Sequence, residues 1–208
     1  MARGRRSGEA NTAAEILDVA ERLVQIRGFN GFSYGDVASE LGITTAALHY
    51  HFAGKAELGE ALIERYASRF GEALGEIDQH GVDPAEKLHA YANLYLDVLR
   101  DHRMCLCGML AADYDTLPKP MRNAVVRFFD DNEEWVGRVL EQGRAEGTLQ
   151  FTGSPADAAQ MIVSGLEGAM LVARPYGDTN RFESAAARLL AGLTDTTRAR
   201  RRKPASLA

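Results

Sequence analysis

The sequence predicts an all-α protein made of three short helices, a connecting helix and a larger helical body. Apolar residues recur at helical spacing in nearly every segment; Ile16, Ala20, Leu23 and Val24, for example, fall at i, i+4, i+7 and i+8. Strand-type alternation is nearly absent. Capping and breaking residues punctuate the chain at short intervals up to about residue 54 and at longer intervals beyond it.

Gly28 stops the first helix, with Phe29 and Phe32 flanking the stop. Ser33 is a good N-cap for a short helix carrying Val37, Ala38 and Leu41, and Gly42 ends it. Thr44 caps the next short helix, which turns Ala47 and Leu48 inward, and Phe52–Lys55 breaks the chain again. Leu58, Leu62, Tyr66 and Phe70 then run at strict i+4 along a longer helix to about Gln79. After a loop, Pro84 opens the next helix, where its missing N–H costs nothing. Helical patterns follow at about 84–102, 104–114, 119–146, 155–174 and 181–194. The expected organisation is a helical domain over residues 1–66, a larger all-helical domain over 67–197, and a basic tail over 198–208 without fixed structure.

Of the 208 residues, 46 % are hydrophobic and 25 % charged, enough for a sizeable core. No apolar run reaches 18 residues, so no membrane span is expected. The N-terminus has arginines but no apolar stretch of the secretory type. The only cysteines, Cys105 and Cys107, exclude a disulfide framework, and a reducing cytoplasm is the simplest home. The net charge of −5 does not advertise a nucleic-acid binder, but its distribution is uneven. Residues 1–66 hold 7 basic and 9 acidic residues, residues 67–197 hold 12 and 20, and residues 198–208 hold 5 and none. Arg3, Arg5 and Arg6 crowd the start, and Leu41–Gly54 contains no acid. An acid-free patch can meet phosphates on an acidic protein, because salt limits distant charges to a reach of roughly 8–10 Å.

Residues Val37–Phe52 carry the strongest signal. Two short helices joined by a tight turn need a small residue inside the first (Ala38), glycine at the turn (Gly42), apolar residues beside it (Leu41, Ile43) and an apolar anchor in the second helix (Leu48). That is the spacing of a DNA-binding helix-turn-helix. The same pattern also suits an ordinary helical hairpin. In the first reading Thr44, Thr45, Ala46 and the His49–Tyr50 edge point outward, and small or hydroxyl side chains suit close approach to base edges in a groove about 12 Å wide. The pair His49 and His51 does not make a metal site. Residues two apart on a helix point about 200° apart, whereas helical zinc pairs use i, i+3 or i, i+4.

The stretch from Gly31 to Leu62 resembles the DNA-binding domain of the TetR family of one-component transcriptional regulators. Gly28-Phe29, the Ser33 cap, Val37-Ala38, Leu41-Gly42-Ile43, and Leu48 followed by aromatics, Phe52 and Lys55 carry the likeness over about residues 12–60. The resemblance implies a homodimer whose last two long helices, here about 155–174 and 181–194, build a four-helix bundle. It implies a double-stranded DNA operator and a small-molecule effector as partners, most simply a repressor released from a palindrome. Thr44, Thr45 and Ala46 match the base-reading start of the recognition helix. His51 and Lys55 match phosphate contacts and Tyr50 a variable position that often touches DNA; Ser33 and Tyr34 are further candidate DNA-binding residues. At His49 the family more often has tyrosine. Arg3, Arg5 and Arg6 fit an arm into a neighbouring minor groove as well as they fit an unstructured basic terminus.

The C-terminal body should enclose a concave, mostly apolar site with a few polar groups. Tyr91, Tyr95, Met104, Cys105, Leu106, Met109, Phe128, Trp135, Met161 and Met170 are its candidate lining, although each also suits plain core. Glu167, in an otherwise uncharged helix, is a pocket, interface or solvated carboxylate. Cys105, near a helix start after His102 and Arg103, offers an alternative as a redox or electrophile sensor, or less readily as a metal ligand, against the simpler reading of a buried inert thiol. An all-α enzyme is a remote rival. No Ser/His/Asp or Cys/His pairing, no HExxH and no phosphate loop is present, so neither catalytic residues nor a cofactor is expected.

Overall fold

The computed structural model describes residues 3–80 and 83–194, with the backbone alone for residues 3–10 and Thr194. The described residues form helices α1 (Arg3–Arg27), α2 (Tyr34–Leu41), α3 (Thr45–His51), α4 (Lys55–His80), α5 (Pro84–Arg100), α6 (Leu106–Ala112), α7 (Lys119–Glu146), α8 (Pro155–Ala173) and α9 (Thr179–Thr194). Single 3₁₀ turns lie at Phe29–Gly31, Tyr114–Thr116 and Arg174–Tyr176, and the described residues contain no strand. None of these helices is long and apolar enough to cross a membrane. The all-α expectation and the helix spacing hold. The main local difference is α6, which covers only Leu106–Ala112 before a 3₁₀ turn, because Asp113 closes it and Leu117-Pro118 follows. The expected 198–208 tail lies outside the described residues.

The chain divides into two compact units, and the first is not contiguous. It joins Met1–Phe70 to Arg103–Phe128, while the second joins Gly71–His102 to Phe129–Ala208. The division therefore falls inside α4 and α7, and sequence order alone, which separates 1–66 from 67–197, does not show it. The physical reason is the run Met104–Cys107, every residue of which is at most 3 % exposed. So apolar a segment must be covered, and α1 covers it: the Met104 N–H donates to the Gln25 carbonyl at 3.2 Å.

In the first unit, the predicted stripe Ile16, Ala20, Leu23 and Val24 is buried together with Val37, Leu48, Leu58 and Leu62. Tyr66 and Phe70 meet Phe128 with ring centroids 5.6 and 5.3 Å apart. Ion pairs brace the outside: Arg65 reaches Asp18 and Glu21 at 2.8 Å each, Arg69 also holds Glu21, and Arg22 holds Glu40. Gly59 lets α4 pass close to its neighbours. A Cβ there would fall 2.6 Å from Met121 Sδ and 2.9 Å from Phe29 Cε2.

In the second unit, α5, α8 and α9 pack on one another. α8 begins with a capping box between Ser154 and Asp157 and with Pro155 in its first turn. Its inner face buries Ala159, Ile162, Val163, Leu166 and Met170, while Met161, Leu171 and Val172 on its outer side are 54 to 60 % exposed.

Candidate nucleic-acid interface

The helix-turn-helix is assembled by local rules. Ser33 and Asp36 form a reciprocal cap: the Asp36 N–H donates to Ser33 Oγ at 3.3 Å, and the Ser33 N–H donates to Asp36 Oδ2 at 2.7 Å. The Ser33 hydroxyl, donating to Asp36 Oδ2 at 2.6 Å, and then the Ser33 N–H hold the Asp36 carboxyl below the usual carboxylate range. Gly42 takes the left-handed conformation, φ 66°, that ends α2, and the Ile43 N–H returns to the Ala38 carbonyl at 3.0 Å. Thr44 Oγ1 then accepts from the Ala47 N–H at 3.2 Å and starts α3. Leu48, 0 % exposed, anchors α3 inward. Thr44, Thr45, Ala46, His49 and Tyr50 are exposed, Tyr50 at 73 %, so the predicted outward face is formed. His51 is half-buried, its ring edge-on to Tyr50 at 5.3 Å.

Two expected contact residues are employed otherwise. The Lys55 ammonium points into the turn between α1 and α2, donating to the Phe29 and Phe32 carbonyls at 2.5 Å each, with the two rings 4.7 and 4.2 Å away. Burial lowers its pKa, against the pull of Asp113 and Asp36. The charge assigned from sequence to a phosphate thus holds main-chain carbonyls, because α4 starts directly beneath them. The half-buried Tyr34 donates its hydroxyl proton to the Phe52 carbonyl at 3.0 Å, and burial, with the charge of Glu57, pushes its pKa up to about 12. Tyr34 therefore joins the two ends of the motif through its hydroxyl. The side chains of Arg3, Arg5 and Arg6 lie outside the described residues.

One residue with no local signal completes the turn before α2. Asp113 Oδ2 accepts from the Phe29 N–H at 2.8 Å, and the Asn30 side chain donates to Thr116 Oγ1 at 2.8 Å. Gly28, φ 81°, makes room for this, since a Cβ there would sit 2.9 Å from the same oxygen. The turn that leads into Ser33 is thus held by its N–H groups from Asp113 and by its carbonyls from Lys55.

The candidate effector residues fall into both units. Cys105, Leu106, Met109 and Phe128 belong to the first; Tyr91, Tyr95, Trp135, Glu167 and Met170 belong to the second. In the second unit Tyr91 and Tyr95 are at most 1 % exposed. Tyr91 donates to Asn132 Oδ1 at 3.1 Å, so its oxygen accepts the Tyr95 proton at 2.9 Å. Trp135 stacks on Tyr91 at 5.6 Å and donates its indole N–H to Asp78 at 2.9 Å, and Lys87 holds the other Asp78 oxygen at 2.8 Å. Met170 is buried and Glu167 half-buried on α8. Asn132 and Lys87 had a signal in the sequence, as polar residues on otherwise apolar helix stripes. Asp78 had none. Two open clefts lie elsewhere: one of about 290 Å³ between α5 and α9 beside Asn93, Arg100 and Glu183, the other of about 310 Å³ in the first unit beside Glu21, Arg69 and Arg103. Cys105, 1 % exposed, caps α6 by accepting from the Gly108 N–H at 3.5 Å.

Comparison with known proteins gives the same assignment to both halves. Residues 16–62 match a family described as bacterial regulatory proteins, tetR family, and residues 84–189 match a tetracyclin repressor-like C-terminal domain. The crystal structure of a TetR-family transcriptional regulator from Agrobacterium tumefaciens superposes with a TM-score of 0.87 at 32 % identity, covering 89 % of this chain and 99 % of that one. A TetR transcriptional regulator from Legionella pneumophila gives 0.79 at 33 %, over 86 % and 95 %. The HTH-type transcriptional repressor NemR of Escherichia coli strain K12 is 26 % identical over 183 residues, 86 % of this chain and 92 % of that protein.

Proposed function

The chain belongs to the TetR family of DNA-binding transcriptional regulators, and from that premise we propose that it is a cytoplasmic homodimeric repressor that reads a palindromic operator and leaves it when a small molecule binds. The exposed Thr44–Ala46 and His49–Tyr50 face of α3 is the observation that carries this reading. Its small and hydroxyl side chains approach base edges, while His51 positions the helix on a phosphate. Lys55 and Tyr34 contribute by fixing the motif internally. The exposed apolar residues Met161, Leu171 and Val172 on α8 support a dimer through α8 and α9. A dimer presents two α3 helices, and palindromic half-sites mirror that two-fold symmetry. The likeness to NemR, a transcriptional repressor, supports repression as the sign of regulation.

Moving the protein from 99 % bound to 99 % free requires about 5.5 kcal/mol of differential affinity. Footprinting on the DNA upstream of the protein's own gene tests this reading. Two protected half-sites that a small molecule then exposes are expected. Uniform coating limited only by salt would overturn sequence-specific repression. The second reading, electrophile sensing through Cys105, draws on its position at the start of α6 and on the relationship to NemR, which has been crystallised in a reduced form. Treatment with an electrophile that releases DNA and adds mass to Cys105 would favour it; its burial favours an unmodified thiol.

A further inference from the structure

The recognition element has no permanent positive charge. Between Arg27 and Lys55 the sequence contains neither lysine nor arginine, yet it contains Asp36 and Glu40. DNA binding depends on neutralising phosphates, and the Lys55 ammonium is directed to the Phe29 and Phe32 carbonyls. The groups on α3 that can acquire a positive charge are His49 and His51.

His49 has its proton placed by the fold. Its Nδ1 lies 3.1 Å from the Ala53 carbonyl oxygen. A carbonyl only accepts, so Nδ1 carries the hydrogen. The neutral ring then has a bare lone pair at Nε2, which repels a phosphate oxygen; a second proton turns Nε2 into a donor and makes the ring a cation. The Ala53 peptide is held from its other side, its N–H donating to Glu57 Oε2 at 2.8 Å. Tyr34 packs on the His49 ring at 4.8 Å from α2. The titratable neighbours are thus Tyr34, Glu57, and, on α3 itself, Tyr50 and His51. With its pKa near 12, Tyr34 stays neutral through the range in which a histidine titrates. His49 also sits in the last turn of α3, away from the N-terminal residues that face base edges.

We propose that His49 is a proton-dependent phosphate contact: its tautomer, fixed by the Ala53 carbonyl, makes DNA binding by this chain take up a proton at Nε2. The inference rests on α3 being the DNA-reading helix, and the test separates the two. Full-length protein selects a duplex from a randomised library, and its dissociation constant is measured from pH 5.5 to 8.5 at constant ionic strength. Calorimetry in buffers of different ionisation enthalpy counts the protons taken up. The wild type should bind more weakly as pH rises, by up to about tenfold per unit for each His49 engaged and so about a hundredfold for the dimer at the steepest. His49→Gln should remove most of that slope, and His51→Gln should retain it. Nitrogen NMR of the free protein should show a hydrogen on Nδ1 and a bare Nε2, independently of any variant. Binding that does not vary with pH, a slope lost in His51→Gln but kept in His49→Gln, or a bare Nδ1 would each overturn the proposal. So would a lost base preference in His49→Gln with the pH slope intact, which would make Nε2 a base reader. Failure to select any duplex would instead remove the DNA-reading role of α3.

Discussion

The turn before α2 and the interior around Tyr91 solve opposite problems. In the first unit a few directional bonds fix the main chain: Asp113 and Lys55 take the N–H and carbonyl groups of residues 29–32, and Ser33 and Thr44 start the next two helices. In the second unit polar groups pair with one another inside an apolar interior, Tyr95 to Tyr91 to Asn132, with Trp135 and Lys87 meeting at Asp78. Bonds to the main chain aim a helix. Bonds among buried side chains keep polar groups paired inside an apolar interior, where an unpaired one would be costly.

The contrast can be broken at its apolar anchor first. Leu48→Ala should destabilise the first unit by about 3 kcal/mol, the range for emptying a fully buried leucine site. Thermal melting followed by circular dichroism should show the loss, together with abolished DNA binding. An unchanged melt would mean α3 is not anchored by this residue.

Asp113→Ala sharpens the comparison. It strips the Phe29 N–H of its acceptor and should cost about 1–2 kcal/mol. Because the turn aims α2 and α3, operator affinity should fall several-fold more than the melting change explains, and Asp113→Glu should recover part of it. Equal affinity at full occupancy of the folded state would make Asp113 a brace without influence on the DNA face.

A smaller effect is expected at Asp78. Burial raises its pKa, but the hydrogen bonds from Lys87 and Trp135 and the nearby cations leave it below the usual carboxylate range. A carboxyl lowered in the folded state stabilises above its unfolded pKa, near 4, and that contribution disappears as pH falls through the folded value. Wild type should therefore exceed Asp78→Asn by about 1 kcal/mol at pH 6, the gap closing below pH 4. Trp135, the chain's single tryptophan, reports this directly through its fluorescence. A gap independent of pH would assign the stabilisation to shape alone.

Much of the first unit was legible because its rules are local. Ser33, Gly42, Thr44 and Leu48 each declare a cap, a stop or an anchor within a few residues, and all four do so in the structure. The joining of residues 103–128 to the first 70 was not legible, since Asp113 stands 84 residues from its partner Phe29 and belongs to no motif. The bonds of Lys55 were hidden for a related reason: the sequence shows a charge at the head of a helix, but only the fold brings two carbonyls within its reach. The aromatic residues of the second unit were found by composition, whereas their bonding to Asn132 and Asp78 depends on how α4, α5 and α7 lie within that unit.

The division between reading and positioning on α3 is tested most directly by binding to a panel of duplexes, each changed at one base pair of the selected operator. Thr45→Ala should lose discrimination at one position in each half-site, by about 1–3 kcal/mol, and keep it elsewhere. His51→Ala should weaken every duplex by a similar factor and leave the ranking intact. Equal loss of selectivity in both variants, or none in either, would contradict the assignment of α3 as the reading helix.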